Sequence, residues 1–237
     1  MQIKINLQIF LFIIVFMITH QIEIYAWIML FAFIHELGHM IAGLILRLKP
    51  ETLSVMPFGI SIRFKTYEYK KLIKIKKILI AIAGPVTNLV ICIVASILHI
   101  NDETKQLIIY SNILIALFNL IPLYPLDGGR ILKGIIMLKH EEIKADKIVN
   151  KISNILIIFL TAITSIGILY LKNLSIVFVL IYLWIIVINE NKKYNLKRKL
   201  YKIYYSSDKN IKSRENIGID VLVNPQLRSF TDKSTKN

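Results

Sequence analysis

Apolar residues fall into six runs along the chain, at about 5–18, 24–46, 72–99, 107–121, 152–171 and 174–190. A helix needs roughly 20 apolar residues to cross a hydrocarbon core of about 30 Å, so runs of this size predict membrane helices. The first and fourth are short for a full crossing. From Leu107 to Leu120 the fourth holds 14 residues, about 21 Å of helix at 1.5 Å per residue. The last two are parted only by Lys172-Asn173. Residues 51–64, ETLSVMPFGISIRF, follow another rhythm. Leu53 and Val55, then Ile60, Ile62 and Phe64, alternate with other residues around Pro57-Phe58-Gly59. Period-two alternation broken by Pro and Gly predicts two short strands or a hairpin. A surface turn between helices and an edge facing a substrate are equally good uses for it. The expected fold class is an all-α polytopic membrane protein with about six transmembrane segments and a short β-hairpin between the second and third.

Charge sharpens this picture. Hydrophobic residues make up 55% of the 237, yet the formal net charge is +15. A basic balance also fits nucleic-acid binding, but its placement favours a membrane. With the N-terminus in the cytoplasm, all of the 30 Lys and Arg except Lys105 and Lys172 fall on the inner side. Cytoplasmic enrichment of Lys and Arg orients membrane helices, so both termini are expected in the cytoplasm and the cell membrane is the expected location. Cys92 is the single cysteine, which excludes a disulfide framework. Lys4 precedes an apolar stretch as in a signal peptide, but without a small-x-small cleavage site the expectation is a retained anchor.

The second run carries FIHELGHM, residues 33–40. Polar groups at membrane depth are costly and usually mark function. His35-Glu36-Leu37-Gly38-His39 fits H-E-x-x-H, in which residues four apart share a helix face and both imidazoles can reach one ion. Glu36, beside the first histidine, can take a proton from water on the metal as general base. Zinc is the usual occupant of such a site and lowers the pKa of its water to about 7. Two histidines satisfied by ordinary helix contacts are the bland reading of the same pattern.

A catalytic zinc site takes three protein ligands and keeps one position open. The chain offers LFNLIPLYPLDGGR, residues 117–130. Pro122 and Pro125 forbid regular helix, and Gly128-Gly129 permits a tight turn. Irregular backbone at membrane depth is tolerated where it is buried or lines a watered cavity. Asp127 is therefore expected within the membrane as the third ligand. The same carboxylate would serve as the N-cap of a helix beginning at Gly128, and one carboxylate does not easily fill both roles.

With both motifs in view, the sequence resembles the site-2 protease family of intramembrane zinc metalloproteases. The family pairs H-E-x-x-H in one membrane helix with N-x-x-P…L-D-G in a later one. Here these are His35 to His39, and Asn119, Pro122, Leu126, Asp127 and Gly128. A further family feature, G-P-x-x-N, stands as Gly84-Pro85-Val86-Thr87-Asn88, although a Gly-Pro pair also simply kinks a membrane helix. The resemblance implies zinc on His35, His39 and Asp127, Glu36 as general base, and Asn119 near the scissile carbonyl. MPFGISIRF, IPLYPLDGGRIL and the basic, tyrosine-rich segment after the last run place it nearest the stage IV sporulation protein FB group. Members of that group release a mother-cell sigma factor from a membrane-bound precursor. The 47 residues from Asn191 to Asn237 are too few for the nucleotide-sensing CBS domain of the best-known members, and no PDZ domain interrupts the chain.

The expected organisation is a protease domain over 1–190 and a basic cytoplasmic tail over 191–237. KKYNLKRKLYKIYY, residues 192–205, reads as a helix lying on the anionic inner leaflet. His20, His99 and His140 fall near the ends of apolar runs, where interfacial histidines are ordinary. The expected partners are a membrane-anchored protein substrate, the lipid bilayer and membrane inhibitor or regulator proteins, with no nucleic acid. The alternatives are a metal-binding membrane transporter and a catalytically silent scaffold. Glu36 discriminates, since a site that only binds has no need of an adjacent base.

Overall fold

The computed structural model describes residues 2–56, 59–171 and 175–223. Pro57-Phe58, Lys172-Asn173 and the basic residues beyond 223 lie outside them. In chain order the elements are β1 (Gln2–Ile5), α1 (Gln8–Ile18), α2 (Ile22–Ile45), β2 (Pro50–Met56), β3 (Gly59–Phe64) and α3 (Thr66–Lys71). Five helices follow: α4 (Lys74–Ile97), α5 (Asp102–Leu120), α6 (Asp127–Lys139), α7 (Glu142–Leu171) and α8 (Ser175–Val223). Two compact units emerge, Met1–Asn191 and Lys192–Asn237.

Among the described residues, three helices are long and apolar enough to cross a membrane: Ile22–Ile45, Lys74–Ile97 and Glu142–Ser165. The first run departs from expectation. Its helix, α1, has 11 residues, about 16 Å, and a strand, Gln2–Ile5, precedes it. That strand pairs in parallel with β2, Gln2 opposite Thr52 and Ile5 opposite Val55. The sheet order is β1-β2-β3, with Lys4 opposite Ser54 and Ser54 opposite Ser61.

β2 and β3 form the expected antiparallel hairpin, with Leu53 opposite Ile62 and Val55 opposite Ile60. Apolar residues two apart on each strand thus share one face of the sheet, and Ile62 is buried. Entry to the hairpin is set by the end of α2. Arg47 has φ 62° and the Leu48 N–H donates to Gly43 O, a Schellman-type closure that satisfies a terminal carbonyl. β3 then returns alongside α2. A Cβ on Gly43 would collide with the Phe64 ring, and one on Gly59 would crowd the Ala32 side chain.

α4 is the central helix, packed against α2, α5 and α6. Gly38 lets α2 approach it, since a Cβ there would strike Thr87 and Ala83. The opposite side of α4 exposes Leu89, Val90 and Ile93. Large apolar residues facing no protein are the expected contact with hydrocarbon. α5 begins at Asp102, earlier than its apolar run, because the Asn101 side chain accepts from the Thr104 N–H. Such a cap satisfies one orphan donor, and the acidic first turn complements the helix dipole.

Candidate metal centre

α5 stops at Leu120, and residues 121–126 cross to α6 without regular structure. This segment is anchored from behind. Leu123 is fully buried among Ile157, Leu183 and Val187, and the Tyr124 N–H donates to the buried Ser153 hydroxyl at 2.9 Å. Gly128 and Gly129 allow α6 to start tightly against it, because a Cβ on either would collide with the main chain of residues 120–124. The result places Asp127 as the first residue of α6, buried, with Leu126 and not Asp127 at the N-cap position. Its carboxylate faces α2.

There it meets the two histidines. Asp127 Oδ2 lies 3.0 Å from His35 Nε2 and 3.0 Å from His39 Nε2, and the two Nε2 atoms are 3.2 Å apart. The rings stand edge to face, with 83° between their planes, so each directs one nitrogen at the carboxylate. All three residues are buried. Arg130, one helical turn after Asp127, brings Nη1 to 3.6 Å from the other carboxylate oxygen.

The remaining ring nitrogens reveal the protonation pattern. His39 Nδ1 lies 2.7 Å from Ile80 O, and His35 Nδ1 lies 2.6 Å from Asn88 Oδ1. Both partners are oxygens that accept, so each Nδ1 donates, and in the neutral rings that bind a metal each Nε2 offers its lone pair. Three electron-rich atoms therefore converge in a buried space, an arrangement that needs a cation between them. A tetrahedral site with bonds of about 2.0–2.1 Å has ligand–ligand edges of about 3.4 Å, close to the separations here. Two imidazoles and one carboxylate also form a recurring donor set of catalytic zinc sites. The residues fit the metal.

Room for an ion comes from α4. Gly84 faces both Nε2 atoms, and its Cβ, were there one, would lie 2.5 Å from His35 Nε2. Glu36 is buried, and its Oε1 accepts the Ile62 N–H of β3 at 2.5 Å. The hairpin is thus more than a surface turn, because it supplies the donor that holds the glutamate. Asn119 stands apart from this network, half-buried, with Nδ2 donating to Ile115 O at 3.0 Å. Sequence reasoning missed Arg130 and Asn112. Arg130 was legible as an i,i+3 partner of Asp127, and Asn112 as a polar residue inside an apolar run.

A profile of peptidase family M50 matches residues 24–102 and 100–163, more than half of the chain. The chain belongs to peptidase family M50. It is a membrane protein. A zinc metalloprotease of Methanocaldococcus jannaschii is 33% identical to this M50 chain over 123 residues, 48% of the chain and 34% of the relative. Stage IV sporulation protein FB of Bacillus subtilis is 27% identical over 135 residues, 54% of the chain and 46% of the relative. The match therefore spans less than half the length of each. A solved site-2 protease from Methanocaldococcus jannaschii shares the fold with a TM-score of 0.62 at 24% identity, covering 79% of this chain and 89% of that one.

Proposed function

We propose that this chain is an intramembrane zinc metalloprotease that cuts a peptide bond in or near the membrane segment of a membrane-anchored protein. One observation carries the reading: two imidazole lone pairs and a carboxylate oxygen converge beside a glutamate in a buried space. His35, His39 and Asp127 would hold zinc. When bound, zinc supplies a Lewis acid that polarises a carbonyl and makes water acidic enough to serve as nucleophile near neutral pH. Glu36 takes the proton from the attacking water and delivers it to the leaving amine. Ile62 holds Oε1, so the other carboxylate oxygen is assigned to that proton. Arg130 keeps the Asp127 carboxylate oriented through its second oxygen. Asn119 is assigned to the scissile carbonyl, a role that requires its amide to leave Ile115 O.

A helical substrate presents carbonyls already hydrogen-bonded, so it must unwind before attack. The irregular backbone at 121–126 is the assigned route for water and peptide, consistent with the rule that such backbone lines a cavity. Residues 1–190 are read as the protease domain and 191–237 as a basic cytoplasmic tail, with both termini cytoplasmic. The similarity to a stage IV sporulation protein supports a membrane-tethered regulator as substrate, such as a sporulation sigma-factor precursor. Membrane inhibitor or regulator proteins are the further partners this reading anticipates. Co-expression with candidate membrane-bound precursors tests it. Wild-type chain should yield a shortened product and Glu36→Gln should not. A chain that binds zinc tightly but cuts no candidate would instead favour a metal-binding membrane protein.

A further inference from the structure

We propose that Asn88 is a positioning residue for His35, and that Asn112 fixes the direction in which it acts. Ile108 O can only accept, so Asn112 Nδ2 must be the donor in their 2.8 Å contact. Asn112 then has only Oδ1 to offer Asn88, whose Nδ2 donates to it at 3.0 Å. That leaves Asn88 with Oδ1 toward His35 Nδ1, 2.6 Å away. An amide oxygen only accepts, so His35 carries a proton on Nδ1, and its neutral, metal-binding form has the lone pair on Nε2.

The relay thus begins at a main-chain carbonyl of α5, passes through α4, and ends by setting the tautomer of a residue on α2. Asn88 and Asn112 are both fully buried, so no bulk water competes for their polar atoms. Without Asn112, the Asn88 amide is free to rotate by half a turn. Its nitrogen would then face His35 Nδ1 and demand the opposite tautomer. A proton on Nε2 would occupy the position from which that atom must donate electrons to a metal. Partners of this kind, which orient a ligating histidine through its other ring nitrogen, commonly change metal affinity by about 10- to 100-fold.

The stretch Gly84-Pro85-Val86-Thr87-Asn88 acquires a purpose beyond kinking α4. Ile80, Gly84 and Asn88 stand at i, i+4 and i+8, one stripe of the helix. Along it come a carbonyl for His39, a gap between the imidazoles, and an amide for His35. Both imidazoles are set by one face of one helix.

This inference rests on the metal-centre reading, and the test separates the two. Full-length protein in detergent is titrated with zinc against a competing chelator, and cobalt-substituted protein is examined by absorption spectroscopy for its ligand geometry. Asn88→Leu conserves volume and removes the acceptor, and should weaken zinc binding about 10- to 100-fold. Asn88→Asp made together with Asn112→Leu, which removes the opposing Asn112 oxygen, retains an oxygen toward Nδ1 and should restore most of that affinity and the wild-type cobalt spectrum. Asn112→Leu should weaken zinc less than Asn88→Leu, since Asn88 remains present but free to rotate. Melting of the metal-free proteins reports folding separately, and Asn112→Leu carries the test if Asn88→Leu does not fold. Wild-type affinity in a folded Asn88→Leu protein, or in Asn112→Leu, would overturn the relay. So would an Asn88→Asp, Asn112→Leu protein as weak as Asn88→Leu. A wild-type chain that binds no zinc would instead sink the metal centre itself.

Discussion

The Glu36 carboxylate accepts a hydrogen bond from the main-chain N–H of Ile62, with 2.5 Å between oxygen and nitrogen. The glutamate that follows the first histidine is thereby held by a strand 26 residues further along the chain. A buried carboxylate without such donors is costly, and here the hairpin provides one. The bond also keeps the side chain in one rotamer.

Glu36→Gln is the sharpest consequence. The amide oxygen can still accept from Ile62, so the hairpin contact and the histidines should survive, and zinc content should stay near wild type. Its nitrogen cannot take a proton from water, a step worth about 10²- to 10⁴-fold in rate. Cleavage of a co-expressed substrate should therefore fall by at least two orders of magnitude while metal analysis changes little. Normal cleavage by this variant would sink the protease mechanism.

Asp127→Ala should instead remove metal. Asp127 is the first residue of α6, with Leu126 at the N-cap position, and its carboxylate lies against both histidines. Without it two lone pairs remain, too few for a tightly held catalytic zinc. Metal analysis of purified protein should show a large deficit. Stoichiometric, tightly held zinc in the variant would return Asp127 to the role of helix cap.

Gly84→Ala offers a test from the other side of the site. In an ordinary helix, alanine is favoured over glycine by about 1 kcal/mol. Here the added methyl would lie against both imidazole Nε2 atoms, where the ion belongs. Zinc affinity should fall at least about tenfold, with activity lost in proportion, since an ion cannot share that space with a methyl group. A variant with undiminished zinc affinity would mean that the metal sits away from α4.

Much of this was legible in sequence because the chemistry lay in short motifs on strongly periodic elements. The H-E-x-x-H helix, the hairpin and the break at Pro122 to Asp127 all carry local signals, and the structure forms each of them. The misses were of two physical kinds. β1 is only four residues, Gln-Ile-Lys-Ile, too short for its alternation to stand out beside the apolar run that follows. α5 and α7 start well before their apolar runs, at Asp102 and Glu142, because polar residues extend a helix without extending its hydrophobicity, in α5 behind the Asn101 cap. Asn112 had no readable partner, since its contact with Asn88 joins two helices and no spacing rule links them.

The position of the cut follows from where the ligands sit on α2. His39 is six residues before the end of the helix at Ile45, about 9 Å at 1.5 Å per residue, and His35 is one turn deeper. That end leads into Arg47, Lys49 and the basic connection that continues to Lys77. Clustered Lys and Arg mark the cytoplasmic side, so the site should lie below the membrane surface and nearer the cytoplasm. Cleavage should fall in the cytoplasmic half of the substrate's membrane segment or just beside it, with the product released into the cytoplasm. Mass spectrometry of the released fragment would place the cut to the residue. A terminus in the outer half of that segment would overturn both the orientation and the depth, because neither His35 nor His39 reaches that far along α2.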